Sequence, residues 1–299
     1  MNLLNNINFW NLQLIAIDFV IIFLLFASLR LVKGLVSNVH ATDEIASKDN
    51  FAFGVSFAGG IGALGIMLTG VSQGEFAPTM LDEAINMSVF GVIGLVLITA
   101  GRWFQDKIVL SQVSLHDEIA KDNLAAAIVD VGHVLAVGIV IRASMLWVQT
   151  EGFLAIPVVI AGFVVSQIVL TIASKYRVKL FAVKASDGND CMQQALEDGN
   201  TALALRYAGY LTGVSLAITA ASGFVPYDGE NVWVAVLMWA VWAVILSVVF
   251  AGIKLIAMKA ILPGVDISDE VDNQKNLGVG AIEAAVAISI GLTLATLLA

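Results

Sequence analysis

Five stretches of this chain, 51–71, 84–101, 152–174, 207–227 and 231–253, run for about a bilayer-crossing length without one Asp, Glu, Lys or Arg. A soluble domain has no use for five such stretches, because their flanks would need water that a single core cannot reach. Three further stretches have the same length but carry ionisable groups: 12–29 holds Asp18, 123–147 holds Asp130, His133 and Arg142, and 276–299 holds Glu283. The reading is therefore all-α, a polytopic membrane protein with eight transmembrane helices in a lipid bilayer. Composition agrees, at 59% hydrophobic, 13% charged and a mean hydropathy of +0.90.

The net charge of -9 leaves no basic field to gather phosphates, which argues against a nucleic-acid partner. A lone Cys191 and three scattered histidines suggest neither a disulfide nor a metal site, and no cofactor is implied. Nucleotide-loop, H-E-x-x-H and G-x-S-x-G signatures are missing, so the chain does not read as an enzyme. Basic residues are strongly one-sided. Apart from Arg142 and Arg206, they lie in or beside the loops joining helices one to two, three to four, five to six and seven to eight. The positive-inside rule makes those loops cytoplasmic and places both termini on the periplasmic side.

Those same loops repeat where they enter the even-numbered helices. They read DEIASKDNFAFG from Asp43, DEIAKDNLAAA from Asp117, ALEDGNTALAL from Ala195 and DEVDNQKNLGVG from Asp269. Nine residues after each Asn comes Gly59, Gly132, Gly209 or Ala285, a small residue every time. Recurrence at matching places in the topology predicts four like-oriented two-helix units, paired into pseudo-symmetric halves at 1–150 and 151–299.

The pattern of Glu44 with Asn50, Glu118 with Asn123, Glu197 with Asn200 and Ala202, and Glu270 with Asn276 resembles the YjfL-like bacterial inner-membrane family (domain of unknown function 350). Members of that family have about four helices and two copies of the motif, so the resemblance implies two family domains in tandem. It also implies a bacterial inner-membrane location and a neighbourhood of envelope-stress proteins. It implies no reaction.

Asn50, Asn123, Asn200 and Asn276 are expected to cap the even helices, with the preceding acids favouring the positive end of each helix dipole. Small residues on those helices let backbones approach closely, which makes the even helices the inner layer. Ionisable groups inside spans point to protein or water rather than lipid. Asp130 and Glu283 each lie seven residues after their Asn, and Arg206 lies six after Asn200, so the three share roughly one depth. One arginine balances one carboxylate. The expectation is that Glu283 pairs with Arg206, while Asp130, beside His133, titrates or holds a cation. Asp18 and Arg142 are expected to form a second ion pair nearer the outer face.

Two functions follow from these residues. One is a proton or small-cation conductor using Asp130, His133, Arg206 and Glu283. The other is a non-catalytic scaffold, homo-oligomeric or recruiting a cytoplasmic envelope-stress partner through its mixed-charge loops.

Overall fold

A computed structural model describes residues 9–37, 39–73, 78–184 and 191–298, and all regular structure among them is helical. The helices are α1 (Phe9–Ser37), α2 (Ala41–Ala46), α3 (Phe51–Ser72), α4 (Met80–Phe104), α5 (Leu115–Ala120), α6 (Leu124–Trp147), α7 (Ile156–Lys184), α8 (Met192–Glu197), α9 (Thr201–Ala220), α10 (Val232–Ile261) and α11 (Leu277–Leu298). A π-helical turn extends α4 over Gln105–Val109, and another at Asp269–Asn273 precedes α11.

Among the described residues, seven helices are long and apolar enough to cross a membrane: α1, α3, α4, α6, α7, α10 and α11. The eighth expected span is not among them. It also begins earlier than the expected 207–227, because Asn200 caps it at Thr201 and a 3-10 turn at Ala221–Phe224 ends it. The physical reason is its surroundings. α9 packs on α6, α7, α10 and α11 and buries Arg206, Tyr207, Tyr210 and Thr212, so it carries polar side chains that a lipid-facing helix would not tolerate.

The long helices form two rows. One row runs α3, α6, α9, α11 and the other α1, α4, α7, α10, with each helix touching its row neighbours and the helices opposite. In the first row the helices meet at small residues that keep step with the count from each Asn. A Cβ on Gly59 would strike Val131, one on Gly132 would strike Ala208, and one on Gly209 would strike Ala284. Position nine of each of the first three helices thus packs on position eight of the next. Further along, Gly138 faces Ala63 and Gly291 faces Gly213, position fifteen against position thirteen of the helix before. Both sets advance in the same direction, so these four helices run parallel.

Every helix of that row is entered through the same turn. A short helical segment ends, one residue adopts left-handed φ (Asp49 at 50°, Asp122 at 64°, Gly199 at 76°, Lys275 at 54°), and the Asn follows. The Asn N–H then returns to the carbonyl of Glu44, Glu118, Ala195 or Glu270 at 2.8–3.0 Å. This corrects the pairing of Glu197 with Asn200. The counterpart of the other three glutamates is Ala195, because the turn spans five residues at Asn123 and Asn200 and six at Asn50 and Asn276, and Glu197 lies only three before its Asn.

Candidate functional site

Each Asn side chain works in two directions. Its oxygen accepts from the first turn of its own helix: Asn50 from Phe53 N–H, Asn123 from Ala125 and Ala126, Asn200 from Leu203, Asn276 from Gly278 and Val279. Its amide reaches sideways. Asn50 donates to the carbonyls of Ile119 and Ala120 at 3.0 and 3.3 Å, Asn123 to Leu196 and Glu197 at 3.0 and 2.9 Å, and Asn200 to Val271 and Asp272 at 3.0 and 3.3 Å. The orphan carbonyls that end the second, third and fourth short segments are thereby satisfied by the neighbouring unit. Asn50, Asn123 and Asn276 also donate to Glu44, Glu118 and Glu270; Asn200 faces Ala195 and has no such carboxylate.

Glu118 lies in this rim, outside the spans. Burial pushes its carboxyl up, but hydrogen bonds from Lys121 and Asn123 and the charge of Lys121 outweigh that and hold it below the ordinary range.

Between the rows lie two buried charge clusters. In the first, Asp130 of α6 accepts from Arg102 Nε of α4 at 3.1 Å and from the Ser56 hydroxyl of α3, and Lys33 Nζ of α1 stands 3.9 Å from its Oδ2. Lys33 donates to Ser56 Oγ, and Arg102 also donates to the Ser56 carbonyl at 3.0 Å. Asp130, expected beside His133 to titrate or hold a cation, thus has two side-chain cations of the protein as partners. Lys33 and Arg102 sit near the ends of α1 and α4, where counting along the chain puts them in loops, yet their long stems fold back between the helices.

The second cluster has the same plan. Glu283 of α11 accepts from Arg206 of α9 and from Lys254 of α10. Arg206 also reaches Asp272 at 2.6 Å and the Ile267 carbonyl at 2.9 Å. Arg177 of α7 and Lys254 lie over the Tyr210 ring, 5.4 and 5.6 Å from its centroid. Burial pushes the Asp272 carboxyl, in the rim below, above its ordinary value despite the pull of Arg206 and Arg177. In both clusters the carboxylate comes from the fourth long helix of its half and cations from the helices around it. Removing either partner from such a pair leaves an uncompensated buried charge, at a cost of about 3–5 kcal/mol.

His133 is buried one turn from Asp130, and its Nε2 meets the Gly101 carbonyl at 3.0 Å. Its Nδ1 has no hydrogen-bond partner among the described residues. Asp18 and Arg142 do not meet. α1 packs on α4 and α3, so Asp18 faces Glu83, whereas Arg142 of α6 donates to Thr69 Oγ1 at 2.8 Å and Gln73 Oε1 at 3.0 Å across α3. Among the described residues no three His, Cys, Asp or Glu side chains gather as a metal site would require.

Sequence reasoning missed Lys33, Ser56, Arg102, Arg177, Lys254 and Asp272. A signal was present: Ala100-Gly101-Arg102 and Ala251-Gly252-Ile253-Lys254 recur at the ends of α4 and α10, which marks both cations as parts of the repeat rather than of the loops.

A family model for the Domain of Unknown Function (DUF350) matches residues 6–145 and again 147–298. No curated protein and no solved structure matches. The chain therefore belongs to the DUF350 family, as two copies of its domain in tandem.

Proposed function

We propose that this chain is a non-catalytic, multi-pass scaffold of the bacterial inner membrane, built from four like-oriented hairpins that cross eight times and leave both termini in the periplasm. α9 is the remaining crossing: its 20 residues rise about 30 Å, the thickness of the hydrocarbon layer. The observation that carries the reading is that Asp130 and Glu283 are each engaged by cations from neighbouring helices. Their charge is used in holding the two rows together. The short helices at the cytoplasmic rim then present a solvated face with exposed Lys48 and Lys121, to which an envelope-stress partner docks.

A second reading, a proton or cation path, is favoured by the unpartnered Nδ1 of buried His133 beside Asp130. Reconstituted vesicles decide between them. The scaffold reading expects no proton or cation flux over about pH 5 to 8, the range in which histidine titrates; flux that Asp130→Asn abolishes would overturn it. A periplasm-active reporter is expected to work after Ala299 and to be silent when inserted at Gly264. The opposite pattern would overturn the orientation.

A further inference from the structure

The row α3, α6, α9, α11 has two different ends, and each lacks what the other offers. Each Asn amide but the last finds two carbonyls of the following unit. Asn276 is exposed, and its amide donates only to Glu270 of its own unit among the described residues. At the far end the matching acceptors are Ile45 and Ala46, which follow Glu44 as Ile119 and Ala120 follow Glu118. The hydrophobic member of that pair is 6% exposed at Ile119, 1% at Leu196 and 0% at Val271, but 41% exposed at Ile45.

The helix faces tell the same story. Gly59, Gly132 and Gly209 are buried against position eight of the next helix, while their counterpart Ala285 is exposed, and so is Ala58, which is position eight of the first helix. Gly280 and Gly291 meet the backbone of the helix before them, whereas their counterparts in α3, Gly54 and Gly65, have nothing within 4 Å of a built Cβ. An open groove lined in part by Gly65, Leu68 and Thr69 runs beside that face.

We infer that copies of this chain assemble head to tail, with α11 of one packed parallel against α3 of the next, so that Asn276 donates to the Ile45 and Ala46 carbonyls and Ala285 meets Ala58. This rests on the four-hairpin reading above and extends the same contact, already made three times within the chain, across a fourth step. The small residues permit the close backbone approach that drives helix association in lipid. The interface is heterologous: it closes into a ring where the rotation per step completes a turn, and otherwise runs as an open filament.

The test is cysteine cross-linking in intact membranes, in a Cys191→Ser background. Ala58→Cys and Ala285→Cys are placed on separate, differently tagged copies. The expected result is a disulfide between the two kinds of copy and none when either is expressed alone; both substitutions in one chain should give a ladder of multimers. Cross-links of Ala285→Cys copies to each other would show a two-fold interface and overturn the inference. A full absence of cross-links, with monomer mass in nanodiscs, would show that both faces meet lipid and overturn it equally. Ala285→Trp, on an exposed face, should leave the monomer folded and reduce the multimers at least tenfold. Failure here with the reporter pattern intact and no flux leaves the scaffold reading standing, whereas a ladder together with flux overturns only that reading.

Discussion

Ser56 and Arg206 occupy the same place, six residues after the Asn that begins their helix, and both donate to the carboxylate of the next helix in the row: Ser56 to Asp130 and Arg206 to Glu283. A neutral hydroxyl in one half does the positioning that a guanidinium does in the other. The first half gathers its positive charge from Lys33 and Arg102, and the second from Arg206 and Lys254. The two halves keep one geometry with different donors.

Because both carboxylates are engaged by cations, Asp130→Asn and Glu283→Gln should behave alike. Asp130→Asn leaves Lys33 and Arg102 without their carboxylate, and Glu283→Gln leaves Lys254 without one while Arg206 keeps only Asp272; each is expected to lower stability by roughly 3–5 kcal/mol, read as lost folded protein in the membrane and a lower melting point in detergent. In the first half, adding Lys33→Met to Asp130→Asn should restore part of the loss. One single variant melting like the wild type would contradict the shared plan.

The four Asn residues differ in how much they hold. In detergent-dispersed monomer, Asn276→Ala should cost about 1 kcal/mol, the worth of a cap. Asn200→Ala also removes the donor to two carbonyls of the following unit and should cost about 2–3 kcal/mol. Equal losses in chemical denaturation would mean that the sideways bonds contribute nothing.

Lys275 holds a left-handed φ of 54° at the place where Gly199 holds 76°. An L side chain there costs roughly 1–2 kcal/mol, part of which glycine returns as unfolded-chain entropy. Lys275→Gly should therefore raise stability by about 0.5–1 kcal/mol, and Gly199→Ala should lower it by about 1 kcal/mol. Thermal melts of the two variants check the opposite signs.

Glu118 binds its proton less readily folded than unfolded. Its contribution is therefore full above the ordinary glutamate value of 4.5 and fades as pH falls through the lower folded value. Wild-type protein should lose rim stability on acidification below that value, seen as faster amide exchange at Asn123 to Ala126. Glu118→Gln should show less of this pH dependence.

Some of this arrangement was readable along the chain. The carboxylates at Asp130 and Glu283 and the small residues at position nine lie at constant offsets from an Asn, and a helix turns constant offsets into a constant face and height. Other parts depended on what surrounds a helix. The charge-free stretch 207–227 marks α9 but misplaces its start, because its neighbours cover Arg206 and let the helix begin at Thr201. Lys33, Arg102 and Lys254 sit near helix ends where position along the chain says loop; only their partners on the first row, Ser56, Asp130 and Glu283, show that their stems turn inward. Asp18 and Arg142 share a depth by count but lie on helices that α3 separates.

The left-handed residue before each Asn has a consequence for how such a chain is lengthened. It lies in a connection of only three or four residues between a short helix and a long one, so a tandemly copied segment arrives with its heading already set. The copy needs no new contact surface to be invented, because the face that would receive it is the one its template already uses. The two tandem domains can therefore share a backbone plan while their side chains differ, as the hydroxyl of Ser56 and the guanidinium of Arg206 do.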